Sequence, residues 1–182
     1  MRTYRAIAPT AATAIFLAVG SLPVHGAGSC QTLTDAYNKA GLAPAHLYMT
    51  EVAASRGNQP RTSETINLGD ANGTMYLTVN GQWRRSPVSA KELQAARARA
   101  NSLDKAACEY LRDDVVNGGP ATVYHIHQED VNEKRDTTVW VSKGAGLPQR
   151  AEIDVDAGGA AGKSHLSLRW DYKNVQAPTG VK

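Results

Sequence analysis

The sequence predicts an α+β fold: a single domain in which a strongly curved antiparallel sheet of about nine strands, an incomplete barrel, is covered by two helices. Short segments with alternating apolar and polar residues, separated by turn residues, recur along most of the chain. Only two segments carry apolar residues at helical spacing. The connections between successive strands are short, which favours antiparallel neighbours. No repeat or linker divides the chain, so we expect one domain over residues 27–182, with 175–182 as a loose tail.

Residues 1–26 have the layout of a secretory signal peptide. Arg2 and Arg5 give a positive start, residues 11–22 form an apolar run, and small residues suited to cleavage lie near Gly26 and Ala27. The apolar run is too short to span a bilayer, and no later segment supplies a transmembrane helix. We therefore expect an exported protein, periplasmic or secreted, rather than one with a buried N-terminal helix.

The charge of the predicted mature chain excludes two classes of partner. Removing Arg2 and Arg5 with the signal peptide lowers the formal net charge from +3 to about +1. Such a domain has no basic surface suited to nucleic acid. It also lacks the Lys/Arg cluster that would hold a protein on an anionic membrane surface. The sequence leaves the oligomeric state open.

Two cysteines remain after the signal peptide, Cys30 and Cys108. In an exported chain a pair of cysteines is expected to form a disulfide. The bridge would close a loop of about 79 residues and stabilise the fold by ~4 kcal/mol. The alternative is a lipid-modified Cys30 at the mature N-terminus. The small residues before Cys30 fit that modification, but the leucine usual in its recognition site is absent.

The first predicted helix begins at a possible cap, Thr32, and ends at Gly41, with Pro44 just beyond. One face of this helix is apolar, and that face is expected to pack on the sheet. The face consists of Leu33, Ala36, Tyr37 and Ala40.

The second predicted helix opens with a capping box formed by Ser89 and Glu92. Its apolar stripe is thin and rich in alanine, beginning with Leu93 and Ala96. A stripe of this kind predicts a helix that lies on a sheet rather than one that fills a core.

Nine further segments are predicted as strands, and Asn80-Gly81 between two of them is a strong signal for a two-residue hairpin turn. The strands are Ala45–Ala53, Glu64–Leu68, Thr74–Val79, Gln82–Arg85, Tyr110–Val116, Ala121–Glu129, Thr137–Ser142, Arg150–Asp156 and His165–Tyr172.

The sharpest candidate for chemistry is the alternating set His125, His127 and Glu129. Strand spacing places the three side chains on one face, where the two imidazoles can bind zinc and Glu129 can act either as a third ligand or as a base. If Glu129 is the base, the third ligand comes from elsewhere, such as His165 or His46. The alternative is a solvated face, because the intervening residues of this strand are the apolar set.

The remaining polar patterns do not assign a catalytic residue or a cofactor. Glu152, Asp154 and Asp156 form an acidic stripe, but the position where a calcium loop requires Glu is His165. The chain has no Gly-x-Ser-x-Gly nucleophile elbow and no context for a cysteine nucleophile. We interpret the acidic stripe as a solvated strand face.

The later part of the chain resembles bacterial envelope proteins with a LolA/LolB-like fold. The resemblance lies in Trp140-Val-Ser-Lys, Gly146-Leu-Pro148 and Arg150-Ala-Glu152, and in the closing run from His165 to Pro178. Similar strand–turn–strand segments occur earlier, from Glu64 and around Asn80-Gly-Gln-Trp83. The resemblance implies an incomplete antiparallel barrel covered by helices, whose best-known examples carry lipoproteins or lipids in an apolar groove.

The leading hypothesis is therefore an exported, non-enzymatic binding module for a lipid, an acyl chain or another apolar ligand. The alternatives are a metal-dependent hydrolase that uses His125, His127 and Glu129, and a structural envelope protein with no ligand. The expected groove-lining residues are same-face apolar sets on three strands: Met75, Leu77 and Val79; Val139 and Val141; and Leu166, Leu168 and Trp170.

Overall fold

The computed structural model describes residues 27–100, 106–159 and 162–181. The predicted signal peptide, residues 1–26, lies outside these ranges. Nine strands in the described residues form one sheet, and all neighbouring strands are antiparallel. The elements are α1 (Ala27–Leu42), β1 (Ala45–Ala53), a short 3₁₀ helix (Ala54–Arg56), β2 (Arg61–Asn67), β3 (Met75–Val79), β4 (Gln82–Arg85), α2 (Ala90–Ala100), β5 (Ala107–Val116), β6 (Gly119–Glu129), β7 (Lys134–Ser142), β8 (Pro148–Asp156) and β9 (Lys163–Asp171).

The strand order is β4-β3-β2-β1-β9-β8-β7-β6-β5. Pairing of the first and last strands joins two meanders, β1–β4 and β5–β9, into one curved sheet. The sheet does not close, because β4 and β5 are its two edges. α2 lies in the connection that carries the chain from one edge to the other. These features confirm the predicted α+β fold with an incomplete barrel.

Hairpin turns fix the register of both meanders. Asn80 and Gly81, which join β3 to β4, have φ angles of 52° and 72°. Asn117 and Gly118 join β5 to β6 with φ angles of 53° and 78°. Positive φ at both central residues is typical of type I′ turns, whose twist matches that of the flanking strands. Asn80-Gly81 was expected from the sequence.

The sheet has two unlike faces, because residues directly opposite each other on neighbouring strands point to the same side. One face packs against α1, and we call it the helix-bearing face. Leu47 and Trp170 are opposite each other on that face. The other face is here called the outer face, and Tyr48 and Arg169 are opposite each other on it.

The core lies between α1 and the helix-bearing face. Leu33 of α1 is completely buried and Ala36 is 3% exposed, as the predicted apolar stripe requires. The helix begins at Ala27 rather than at the expected cap, Thr32, so it is longer at its N-terminal end than its apolar stripe indicates. The buried core cluster contains Leu33, Ala36, Ala45, Cys108, Ile126, Val139, Val141, Ala151 and Trp170.

Asn67, a buried polar residue at the end of β2, fixes the position of the end of α1. Its side-chain amide donates hydrogen bonds to the carbonyl oxygens of Gly41 and Ala43, both at 3.0 Å. Its side-chain oxygen accepts a hydrogen bond from the backbone N–H of Gly69. The carbonyls at a helix C-terminus lack partners within the helix, and Asn67 satisfies two carbonyls at this end.

α2 begins with the predicted capping box. The backbone N–H and the hydroxyl of Ser89 both donate to the Glu92 carboxylate, at 2.8 and 2.7 Å, and the backbone N–H of Glu92 donates to the Ser89 hydroxyl. The helix packs mainly against α1, to which Gln94 donates a hydrogen bond at the Asn38 carbonyl. The contacts described for α2 are thus mainly with α1, and the expectation that α2 lies on the sheet stays a prediction.

We predict that Trp170→Ala lowers the free energy of unfolding by about 3–5 kcal/mol, because the indole is 9% exposed and packs edge-on against Tyr37. Chemical denaturation measures the change. Trp83→Ala provides the control, since Trp83 is only half-buried on the edge strand β4, and a smaller loss is expected. Equal losses for the two variants would contradict the core position of Trp170.

The Cys30–Cys108 bridge stays a prediction, because the structure does not describe the Cys30 side chain. α1 contains Cys30 and packs against β5, on which Cys108 is 4% exposed. We expect neither cysteine to react with an alkylating agent until the exported protein is reduced, as measured by intact mass. Two alkylatable thiols before reduction would contradict the bridge, and a diacylglycerol mass on Cys30 would support lipidation instead.

Candidate binding site

All eight residues predicted to line a groove lie on the helix-bearing face. The register places Leu77 in a cross-strand row with Thr65, Leu47 and Trp170, and Val139 in a row with Ala151 and Leu168. Strand residues two positions apart point to the same side. Met75 and Val79 therefore lie on the same face as Leu77. For the same reason Val141 lies on the face of Val139, and Leu166 lies on the face of Leu168.

The eight residues divide into two groups by burial. Val139, Val141 and Trp170 are 0%, 5% and 9% exposed and belong to the core beneath α1. The other five, Met75, Leu77, Val79, Leu166 and Leu168, are half-buried. Only this second group is open to a ligand without a movement of α1, and its role in binding stays a prediction.

The candidate metal residues His125, His127 and Glu129 share the outer face of β6, as their spacing predicts. His127 Nδ1 is 2.8 Å from Asp136 Oδ1, and its Nε2 is 3.7 Å from Glu129 Oε2. His125 lies between Glu109 and the same Asp136, at 3.2 and 3.3 Å. Each imidazole is thus bracketed by two carboxylates.

Neither histidine suggested as a third ligand lies close to this set. His165 is on β9 and His46 on β1, three and four strands away from β6. Since neighbouring strands are about 4.8 Å apart, the nearer of the two is roughly 14 Å away across the sheet. In the described part of the chain, no three His, Cys, Asp or Glu side chains are grouped so that they could hold a metal ion.

A cross-strand row on the outer face has a histidine at each end and two aspartates between them. It runs over β6, β7, β8 and β9 as His127, Asp136, Asp154 and His165. The two aspartates are directly opposite each other, which is unfavourable for like charges. Each aspartate contacts the histidine on its other side, at 2.8 Å for His127 and 2.7 Å for His165.

The contacts of this row shift the pKa values of its members. The hydrogen bond with Asp136 raises the pKa of His127, and the same contact lowers the pKa of Asp136. The hydrogen bond with Asp154 raises the pKa of His165, with a further contribution from Glu152. Both imidazoles therefore carry a proton over a wider pH range than a free histidine.

Glu152 lies beside this row and gathers three donors. The hydroxyl of Ser167 donates to it at 2.6 Å, Nε2 of His165 is 3.0 Å away, and Nε of Arg150 donates at 2.8 Å. Partial burial acts to raise the pKa of Glu152, but these bonds outweigh burial, so the pKa lies below its ordinary value.

The order Ser167, His165, Asp154 resembles a nucleophilic triad, with 3.4 Å between the hydroxyl and Nε2. The proton of the hydroxyl is directed at Glu152, however, and the raised pKa of His165 favours the imidazolium form, which accepts no proton. The arrangement links charged groups across neighbouring strands.

A cavity of about 550 Å³ lies on the outer face beside this cluster. Its floor is formed by β1, β9 and β8, and the β5–β6 turn forms another wall. Leu168 borders the cavity while its side chain packs against the core, so it is the one predicted groove residue at this site. The cavity is lined by Tyr48, Thr50, Val115, Val116, Asn117, Gln149, Arg150, Glu152, Ser167, Leu168 and Arg169.

Two arginines of the cavity, Arg150 and Arg169, are directly opposite each other on β8 and β9. The Arg150 guanidinium lies 4.9 Å from the ring centroid of Trp140 on β7, and that of Arg169 lies 4.1 Å from the ring centroid of Tyr48 on β1. Cation–π contacts of this kind are favourable and keep each cation in place. The row across four strands therefore reads aromatic, arginine, arginine, aromatic.

Sequence reasoning missed this arginine pair. Alternation along β9 places Arg169 on the polar face, but a single strand does not reveal which residue is opposite. The available signal was the short connection between β8 and β9, where hydrogen bonds join Ala157 and Gly158 to Gly162, because a short connection sets the register that pairs Arg150 with Arg169.

Comparisons with known proteins give similarity in fold. No protein-family profile and no curated protein matches the chain. Among solved structures, MucB is 14% identical with a TM-score of 0.49, over 84% of this chain and 64% of that chain. LprF from Mycobacterium bovis is 10% identical with a TM-score of 0.46, over 85% and 98%. A LolA superfamily protein from Nitrosomonas europaea is 11% identical with a TM-score of 0.31, over 79% and 91%.

These matches include the LolA superfamily that the sequence motifs resemble. The chain spans less than two thirds of the MucB chain. No helix in the described residues is long and apolar enough to cross a membrane.

We predict that Asp154→Asn lowers the pKa of His165 toward its ordinary value of 6.5, because the hydrogen bond with Asp154 is the largest cause of its upward shift. An NMR titration of the imidazole protons measures the pKa. Asp113→Asn removes a carboxylate of the same charge from β5, where it pairs with Lys143, and serves as the control. An unchanged pKa of His165 in Asp154→Asn would contradict the role of this contact.

The histidine–aspartate row also predicts a pH dependence of stability. A raised pKa in the folded state gives His127 and His165 a contribution that is complete below 6.5 and is lost as the pH rises through the folded value. The lowered pKa of Asp136 gives a contribution that is present above 3.8 and is lost as the pH falls through the folded value. The row therefore contributes most between these two pH values.

Proposed function

We propose that the chain is an exported, non-enzymatic binding module for a small amphiphile, such as a lipid or an acyl-chain compound, which it holds in the outer-face cavity. The observation that carries the proposal is a cavity of about 550 Å³ with both apolar and polar walls on the face that α1 leaves uncovered. Small-molecule sites commonly have volumes of about 300–1,000 Å³.

The distribution of polarity within the cavity supports an amphiphile. Val115 and Val116 supply apolar surface from the end of β5, and the Tyr48 ring supplies more from β1. Thr50 and Ser167 place hydroxyl groups on the floor. A ligand with an apolar part and a polar end satisfies both kinds of wall, whereas a purely apolar ligand leaves the polar groups without partners.

The non-enzymatic part of the proposal is supported by the state of the polar groups around the cavity. The Ser167 hydroxyl donates to Glu152, and both ring nitrogens of His165 contact carboxylates. These side chains form hydrogen bonds and ion pairs with one another, and these contacts stabilise the sheet. No cofactor is needed for binding of this kind.

The location outside the cytoplasm rests on the signal-peptide pattern of residues 1–26. Disulfides persist in oxidising compartments such as the periplasm, so a Cys30–Cys108 bridge, if it is found, would agree with this location. The helix-bearing residues Met75, Leu77 and Val79 offer a second place for an apolar ligand, and the experiment below separates the two faces.

We predict that Thr50→Trp abolishes binding of decanoate measured by isothermal titration calorimetry, because an indole at Thr50 fills the cavity. Thr65→Trp is the matched control. Both threonines are half-buried strand residues, but Thr65 lies on β2 on the helix-bearing face, in the row of Leu77. We expect Thr65→Trp to bind like the unmodified protein.

The reverse result, with binding lost in Thr65→Trp and kept in Thr50→Trp, would place the ligand on the helix-bearing face. Absence of decanoate and 1-decanol binding to the unmodified protein would contradict the proposed function, provided that circular dichroism confirms a folded sheet. Mass spectrometry of lipids extracted from the purified protein then identifies any natural ligand.

A further inference from the structure

Arg150 and Arg169 form a pair of like charges that the fold itself does not require. They are directly opposite each other on β8 and β9, where like charges are destabilising. Both are exposed and line the cavity. A position opposite an arginine is commonly occupied by a residue of opposite charge or by a neutral residue. The stability of the sheet therefore does not explain the pair, and a role in binding can explain it.

The charges of the pair are only partly neutralised by neighbouring side chains. Arg150 donates through Nε to Glu152, and Glu152 is shared with Ser167 and His165. Arg169 has no carboxylate within 4.0 Å in the part of the chain that the structure describes, and its recorded contact is with the Tyr48 ring. Counting both arginines and Glu152, the cavity wall carries an excess of positive charge.

Aromatic side chains on the two flanking strands restrict the orientation of the two guanidinium groups. Trp140 contacts Arg150 and Tyr48 contacts Arg169, so an aromatic ring flanks each end of the pair. Trp140 is itself held by a hydrogen bond from its indole N–H to Asp114, at 3.0 Å. Cations that are positioned before a ligand arrives lose less conformational entropy on binding.

A second polar group of the cavity wall lacks a partner. Gln149 occupies the β-bulge at which the register between β7 and β8 shifts, and its buried side-chain oxygen has no hydrogen-bond partner within the described residues. A buried polar atom without a partner is costly. The unpartnered atom is an acceptor, so a bound water that donates to it, rather than the oxyanion itself, can satisfy it.

From this arrangement we propose that Arg150 and Arg169 together bind the oxyanion of the ligand, a carboxylate or a phosphate, with its apolar part directed toward Val115 and Val116. The inference deepens the proposed function by assigning the chemistry of the polar end. Guanidinium groups suit this role because their planar N–H donors match the oxygens of carboxylates and phosphates. The Thr50 and Ser167 hydroxyl groups lie in the same cavity and can supply further hydrogen bonds.

Calorimetric titration with three probes of equal chain length tests the proposal: decanoate, decyl phosphate and 1-decanol. We expect the two anions to bind about tenfold or more tightly than the alcohol, since bonds between charged groups are about twice as strong as neutral ones. Arg169→Gln should remove this advantage, so that the affinity for the two anions falls about tenfold or more and by much more than the affinity for 1-decanol. Arg169→Lys, which retains the charge but not the planar donors, should retain part of it.

Arg84→Gln is the matched control. Arg84 is an exposed arginine on the edge strand β4, opposite Leu77 on the helix-bearing face, so its removal changes net charge equally without touching the cavity. We expect its affinities to equal those of the unmodified protein. Circular dichroism and thermal unfolding verify that each variant is folded.

The outcomes separate the inference from the proposed function. Equal affinities for decanoate and 1-decanol, both unaffected by Arg169→Gln, would overturn the oxyanion site and leave amphiphile binding in place. A further outcome is that inorganic phosphate binds as tightly as decyl phosphate and depends on Arg169 in the same way. That result would support the oxyanion site but contradict the proposal that the ligand is an amphiphile. If Arg84→Gln lowered the affinity for the anions as much as Arg169→Gln does, the loss would come from the change in net charge. That result would contradict a specific role for the Arg150–Arg169 pair.

Discussion

The structure depends on one constraint: a single sheet has two faces, and the helices that the structure describes cover only one of them. α1 packs against the helix-bearing face with Leu33 and Ala36, and α2 packs mainly against α1. The outer face must therefore be stable while it is in contact with water. Its side chains achieve this through a small buried apolar cluster of Ala121, Val123 and Trp140, and through ion pairs, cation–π contacts and hydrogen bonds that run across the strands.

The arrangement of charges on the outer face follows from the same constraint. Neighbouring strands are close enough that every charged residue meets the side chain opposite. Asp136 and Asp154 form a like-charge pair with a histidine at each end, so the pair is compensated within the fold. Arg150 and Arg169 form the other like-charge pair, and a single glutamate, Glu152, compensates them only in part. The aspartate pair is therefore neutralised by its own neighbours in the sheet, whereas the arginine pair keeps part of its charge, which is the basis of the proposed oxyanion site.

Much of the fold was predictable because its determinants are local. Alternation of apolar and polar residues identified all nine strands, the Asn80-Gly81 pair identified a hairpin, and Ser89 with Glu92 identified the start of α2. The predicted groove was less accessible to sequence reasoning. Periodicity assigns Val139 and Trp170 to the apolar face, but whether that face is open or covered depends on where α1 packs.

The candidate site depended on contacts that sequence reasoning does not reach. His165 contacts Asp154 and Glu152, and Arg150 faces Arg169, only because the turn between β8 and β9 sets one register rather than another. A shift by one residue would exchange the faces of an entire strand. The sequence therefore predicts that each residue of the site lies on a polar strand face. Which of these residues lie next to one another depends on the register of the sheet.

Pairing of β1 with β9 has a consequence for the way in which the chain folds. His46 near the start of the described chain lies opposite Asp171 near its end, so the two meanders join through contacts of very long sequence separation. Closing such a loop costs conformational entropy before any contact repays it, and proteins rich in distant contacts fold slowly. Until β9 is in place, the backbone of β1 is an unpaired edge that can associate with other chains. The last strand to be synthesised thus protects the first, and a chain that ends before β9 would expose a template for aggregation.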